Sequence, residues 1–95
     1  MDELKVREKQ ARAEKAEALL RNELFVEAFE YLDNQFTEAW KLSDIKDADN
    51  RERVYYLCQS LSALRGYFQS VVESGKLAEA QLDDFRRRST VTRKR

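Results

Sequence analysis

The 95-residue sequence has no histidine, no proline, one cysteine (Cys58) and only two glycines, Gly66 and Gly75. Each shortage excludes something. Without histidine, the commonest general base and metal ligand is missing. A lone thiol with no imidazole cannot form the usual nucleophilic pair, and it has no partner for an internal disulfide. Cys58 therefore reads as a small buried hydrophobe beside an apolar stripe rather than a reactive thiol. With no proline and so little glycine, almost nothing interrupts a helix. No run approaches the roughly 20 apolar residues of a membrane span, and the N-terminus is charged rather than signal-like. The expectation is a soluble protein of a reducing cytoplasm.

Charged residues make up 38% of the chain, and Ala, Leu, Glu, Lys and Arg are abundant, a profile of long helices rather than sheet. The predicted fold is all-α and a single unit. Its centre is an antiparallel helical hairpin of about 23–42 and 50–74. Phe25, Phe29, Leu32, Phe36, Ala39 and Trp40 mark one apolar stripe; Val54, Leu57, Leu61, Leu64, Phe68 and Val71 mark the other. Steps of three and four residues place each set on one helix face. Residues 1–21 form a charged helical segment with Glu–Arg pairs four apart (Glu3 with Arg7, Glu8 with Arg12, Glu17 with Arg21). Its apolar residues, Leu4, Ala11, Ala18, Leu19 and Leu20, make only a narrow stripe. Such a helix either lies along a neighbour or extends freely. Asn22 reads as an N-cap for the next helix, the alternative being one unbroken helix from 2 to about 42.

Ser43 to Asp49 reads as the loop of the hairpin, and Asp49 with Glu52 has capping-box spacing, which starts the third helix there. Gly75 is expected to close that helix in a left-handed conformation. Residues 76–88 then form a short fourth helix with Leu77, Gln81, Leu82 and Phe85 on one side, and 89–95 a flexible basic tail.

No enzymatic chemistry is expected. Asp44, Asp47, Asp49 and Glu52 lack the mid-loop glycine and twelfth-position glutamate of an EF-hand, so loop and capping roles account for them. No glycine-rich phosphate loop occurs, and Ser60 and Ser62 have no lysine at catalytic spacing. No metal, cofactor or small-molecule substrate is implied.

Two features point to partners. The apolar surface is wider than one stripe per helix, since Leu24, Tyr31 and Leu42 flank the first and Tyr55, Cys58, Tyr67 and Val72 the second. Burying a large side chain is worth roughly 1.5–3 kcal/mol, so leaving several wet would forfeit most of a small domain's stability. Self-association through Phe25, Phe29, Leu32, Phe36, Trp40, Val54, Leu57, Leu61, Leu64, Phe68 and Val71 resolves this, as a two-fold bundle or a head-to-tail ring. A compact monomer with residues 4–20 and 77–85 covering the second face is the alternative. The second feature is charge. Arg86, Arg87, Arg88, Arg93, Lys94 and Arg95 are six of the 18 basic residues and stand in a decapeptide without an acid; the rest of the chain holds 12 basic against 18 acidic groups. Such a run resembles arms that bind nucleic-acid backbone, with a salt slope of about −5 if all six engage duplex phosphates. Docking on an acidic protein surface, or on the chain's own acidic stretch 23–49, competes with that reading.

Leu19-Leu20-Arg21-Asn22, Phe25, Ala28-Phe29, Ala39-Trp40, Arg51-Glu52 and Gly75-Lys76-Leu77-Ala78 followed by Leu82 resemble small all-helical proteins of phages and prophages. Within that group the chain is most similar to small terminase subunits, the oligomeric DNA-packaging components that serve a large motor subunit. The resemblance covers about residues 19–82. It implies a non-enzymatic homo-oligomer in the cytoplasm of a bacterial host, assembled by the hairpin and contacting DNA or the motor subunit through terminal segments. Residues 1–21 are too short for the N-terminal helix-turn-helix many such subunits carry. That departure leaves backbone contact through Arg86–Arg88 and Arg93–Arg95 rather than sequence reading. A structural adaptor of phage morphogenesis that binds an acidic protein, or a small regulator or inhibitor with an acidic helix face, are the alternatives.

Overall fold

The computed structural model describes residues 2–93, with side chains as far as Ser89. The described chain is all-α: three helices, α1 (Glu3–Arg21), α2 (Glu23–Leu42) and α3 (Ala48–Arg93), the last of 46 residues. It divides into two compact units, Met1–Leu19 with Phe68–Arg95, and Leu20–Tyr67.

Short polar side chains set the helix starts. Asp2 Oδ1 accepts from the amides of Leu4 (3.0 Å) and Lys5 (3.4 Å) at the head of α1. Asn22 is an N-cap, as one of the two sequence alternatives had it. Its backbone is extended (φ −66°, ψ 124°) and its Oδ1 accepts from Phe25 N at 3.0 Å, so one residue separates α1 from α2. At the end of α2, the Ser43 hydroxyl and amide both donate to the Trp40 carbonyl, at 2.6 and 3.2 Å. The expected capping box at Asp49 is corrected: Asp47 caps α3, accepting from Asn50 N at 3.2 Å, and α3 begins at Ala48. Asp44 Oδ1 bonds Lys46 N at 3.0 Å and so turns the loop. Ala48, the best of helix formers, lets the first turn start one residue before Asp49.

The unit of α1 with the end of α3 is built on small side chains. Val6, Ala78 and Leu82 form a buried cluster, and Ala13, Ala16 and Val72 are also buried. The α1 residues that face inward are therefore Val6, Ala13 and Ala16, not the expected Leu4, Ala11, Ala18 and Leu19, which are exposed. Leu20 is half-buried. Of the two options left open for α1, it packs along a neighbour. Gly75 corrects the expected helix end. No described residue has positive φ, and α3 runs straight through Gly75. A Cβ at this position would overlap the Ala13 Cβ and lie 3.0 Å from the Lys9 carbonyl oxygen. The glycine thus lets α1 and α3 approach closely instead of terminating α3. Helix formers follow it with no proline, so 76–88 is the continuation of α3 and not a fourth helix. In the segment expected to be a basic flexible tail, the backbone is helical as far as Arg93. Lys94 and Arg95 lie outside the described residues.

In the unit Leu20–Tyr67, contacts run in opposite order along α2 and the start of α3. Trp40 and Tyr55 have ring centroids 6.4 Å apart, while nearer the start of α2 the Arg65 guanidinium sits 5.2 Å from the centre of the Phe29 ring. Arg51 lies 4.3 Å over the Trp40 ring and bonds Ser43 Oγ at 3.0 Å, which ties the loop to both helices. Val54 and Leu61 are buried here.

Candidate functional site

The apolar residues expected to drive assembly divide three ways. Val54 and Leu61 are buried within the chain, and Phe25, Phe29, Phe36, Phe68 and Val71 are half-buried. Leu32, Trp40, Leu57 and Leu64 remain exposed. The second stripe is also split, because Phe68 and Val71 belong to the other unit from Val54, Leu57, Leu61 and Leu64.

The more exposed surface lies on the flanks. Leu24, Tyr31 and Leu42 of α2 are 72%, 61% and 81% exposed, and Ile45 of the loop is open as well. These three follow a 4-3-4-3-4 spacing through 24, 28, 31, 35, 38 and 42, a seam on a face of α2 offset from Phe25 and Phe29. All six seam positions are exposed, and α2 holds no buried residue. On α3, Tyr55, Tyr56 and Tyr67 are exposed, and Tyr55 and Tyr56 stand 6.1 Å apart edge to face. Tyr56 and Ile45 were not singled out by the sequence reading, since both fall off the apolar periodicity. Tyr56 donates its hydroxyl to Glu52 Oε1 at 3.2 Å. That hydrogen bond, and then the carboxylate charge, hold the phenol above its ordinary 10.0. Glu52 is thus a phenol acceptor and not a capping-box partner.

Of the basic residues expected to meet nucleic acid, Arg86, Arg87, Arg88 and Arg93 lie in the last turns of α3. Arg86 reaches Glu3 of α1 at 3.8 Å, and Arg88 pairs with Asp84 one turn back at 3.2 Å. Arg87 is exposed. Arg93 ends the helix, its side chain outside the described set, as are Lys94 and Arg95. Successive arginines on a helix are spread by about 100° each, so 86, 87 and 88 present three directions and not one patch. Exposed ion pairs of this kind contribute roughly 0–1 kcal/mol each and exchange readily.

A shallow groove in the first unit is lined by Gln10, Glu14, Glu17, Lys76 and Glu79, with Ala13 and Gly75 as its floor. It follows from the close approach at Gly75. Among the described residues, no group of three or more His, Cys, Asp or Glu side chains is placed to hold a metal ion, and Cys58 is a half-buried free thiol. No described helix is long and apolar enough to cross a membrane. Comparison of the chain with protein-family models, with characterised proteins and with solved structures finds no match.

Proposed function

We propose that the chain is a non-enzymatic, homo-oligomeric component of phage DNA packaging that acts in the cytoplasm of a bacterial host, similar to small terminase subunits. Its antiparallel hairpin of α2 with the first half of α3 is the assembly core, and its terminal arginines contact DNA backbone or the large motor subunit. The observation that carries the assembly part is that α2, rich in aromatic and aliphatic residues, buries none of them completely. Covering Leu24, Tyr31 and Leu42 is worth roughly 1.5–3 kcal/mol each, enough to hold copies together against the cost of association when several such contacts form per interface. The DNA part rests on the resemblance of residues 19–82 and on the cations at the end of α3.

A second reading, an adaptor that docks on an acidic protein surface, is favoured by one specific observation. Arg86 and Arg88 already sit on carboxylates of this chain. Guanidinium and carboxylate planes match well, so the same side chains suit an acidic protein as readily as phosphate.

The mass of the native protein, measured across a concentration series, tests the assembly. Several chains per particle are expected, and Leu24→Glu with Tyr31→Glu should reduce the particle to one chain while leaving the helical circular dichroism intact. A single chain at every concentration for the unaltered protein rejects the proposal. Duplex DNA titrated at several salt concentrations separates the two readings. Backbone contact predicts that Arg87→Ala with Arg88→Ala flattens the salt slope by about 2, at roughly 0.9 per phosphate. An unchanged slope, or no binding at all, leaves the adaptor.

A further inference from the structure

We propose that the hairpin of α2 with α3 as far as Tyr67 stacks one face, rich in leucine, on the same face of a second copy. The two-fold axis runs along the helices, so that α2 of each copy lies on the partner's α3. This rests on the reading of the protein as self-associating, and it names the face and the helices that meet.

The face follows from helix geometry. At about 100° per residue, Trp40 stands about 40° to one side of Phe36 around α2, while Leu32 stands about 40° to the other side and Leu24 and Leu42 about 120°. Around α3, Tyr55 lies about 100° to one side of the buried Val54, and Leu57 and Leu64 about 60–80° to the other. The Trp40 and Tyr55 rings meet, so their two sides form one face of the hairpin. Leu24, Leu32, Leu42, Leu57 and Leu64 therefore lie together on the opposite face. They are all the exposed leucines of the unit Leu20–Tyr67. Between them α2 presents only the uncharged Ala28, Gln35 and Ala39, whereas the Trp40 face carries Asp33, Thr37, Gln59 and Ser62. Two helices of about 30 Å set roughly 8–10 Å apart offer a face of about 600 Å², so two copies bury about 1,200 Å², where specific interfaces begin.

Charge selects between the two ways of stacking this face with two-fold symmetry. With the axis across the helices, α2 lies antiparallel on the partner's α2. Aligning the leucines then brings Glu38 beside the partner's Glu27, and like charges meet next to an apolar contact. With the axis along the helices, the two copies cannot slide past one another. Each residue of α2 then faces the partner residue at its own height in the hairpin. The Trp40–Tyr55 and Phe29–Arg65 contacts set those heights. Tyr31 meets the partner's Ala63, large on small, and Glu27 meets the partner's Tyr67 instead of a carboxylate. Glu38 comes within one turn of the partner's Arg53. Both side chains are exposed, and among the described residues neither takes part in an ion pair. Each turns away from the line between α2 and α3, so the pair forms between copies and not within one.

Sedimentation equilibrium of the full chain, with circular dichroism as the check on folding, tests this. Glu38→Arg sets cation on cation and Arg53→Glu sets acid on acid, so each should weaken association at least tenfold. The chain carrying both substitutions only exchanges the partners, and it should associate like the unaltered protein. Were α2 to lie on the partner's α2, Glu38→Arg would relieve the repulsion from Glu27 and strengthen association. That result overturns the proposed pairing while self-association stands. Single variants that match the parent, or a double variant no tighter than the single ones, overturn it equally. A two-fold contact closes on itself, so particles should hold an even number of chains, and an odd number contradicts it. If the unaltered protein is one chain at every concentration, the pairing and the assembly it rests on both fail.

Discussion

The two glycines lie nine residues apart in one helix, yet their surroundings assign them opposite roles. At Gly66 nothing stands within 4 Å of an added Cβ, whereas at Gly75 the Ala13 side chain and the Lys9 backbone already fill that space. Gly66→Ala should therefore stabilise by roughly 0.5–1 kcal/mol, the usual gain from removing a glycine from a helix interior. Gly75→Ala has the same propensity gain but must push α1 away, and overpacking of this kind costs about 1–3 kcal/mol. The net effect should be a loss. Thermal melting checks both, as 1 kcal/mol moves the midpoint of a domain of this size by roughly 4–8 °C. Ala13→Gly placed on Gly75→Ala should recover part of the loss by returning the space. A melting point for Gly75→Ala equal to or above the parent would show that the two helices do not depend on this contact.

At the scale of elements, capping decides where helices begin, and packing decides whether they continue. Asp47→Ala removes the acceptor for Asn50 N at the head of α3 and should cost about 1 kcal/mol, whereas Asp49→Ala should be close to neutral, because Asp49 lies already in the first turn. Equal losses for the two would restore the capping box at Asp49. The Tyr56–Glu52 pair, one turn apart on α3, adds a pH effect with a definite sign. The folded phenol is held above 10.0 because Glu52 accepts its proton and repels its anion. Its contribution to stability is complete below the unfolded phenol's titration and disappears as pH rises through the higher folded value. An ultraviolet phenolate titration should show Tyr56 ionising late, and Glu52→Ala should bring it back toward the ordinary phenol value. The pair is open to water, so the effect on stability is small, and the titration itself is the readout.

For the whole molecule, the apolar surface left by folding is the main lever on behaviour. Phe36 is half-buried within the chain, so a charge there would disturb folding and assembly together. The seam of Leu24, Tyr31 and Leu42 separates the two, because it is open in the single chain. Substitutions there should change the particle mass with little change in melting of the isolated chain. Hydrophobic association also predicts a negative heat-capacity change on assembly, and isothermal dilution calorimetry at several temperatures measures it. A heat-capacity change of zero would mean that copies meet through charge alone.

Much of this was legible in residue order. The all-helical class, the Asn22 cap, the break after Leu42 and the amphipathic α2 follow from local chemistry: periodicity, a short amide before a run of helix formers, and clustered aspartates. What residue order left undetermined concerns groups whose meaning depends on a distant neighbour. Gly75 has the signature of a helix end, and only the proximity of Ala13 and Lys9 makes it a point of close approach within an uninterrupted α3. Ala13, Ala16 and Ala78 carry too little apolar surface to stand out in a pattern, yet they are buried because small side chains let α1 lie close to α3. Leu4 and Leu19 stood out and are exposed. Periodicity tells which residues share a face, since the backbone's own geometry dictates that. Which face turns inward is settled by the fit between two helices far apart in the chain.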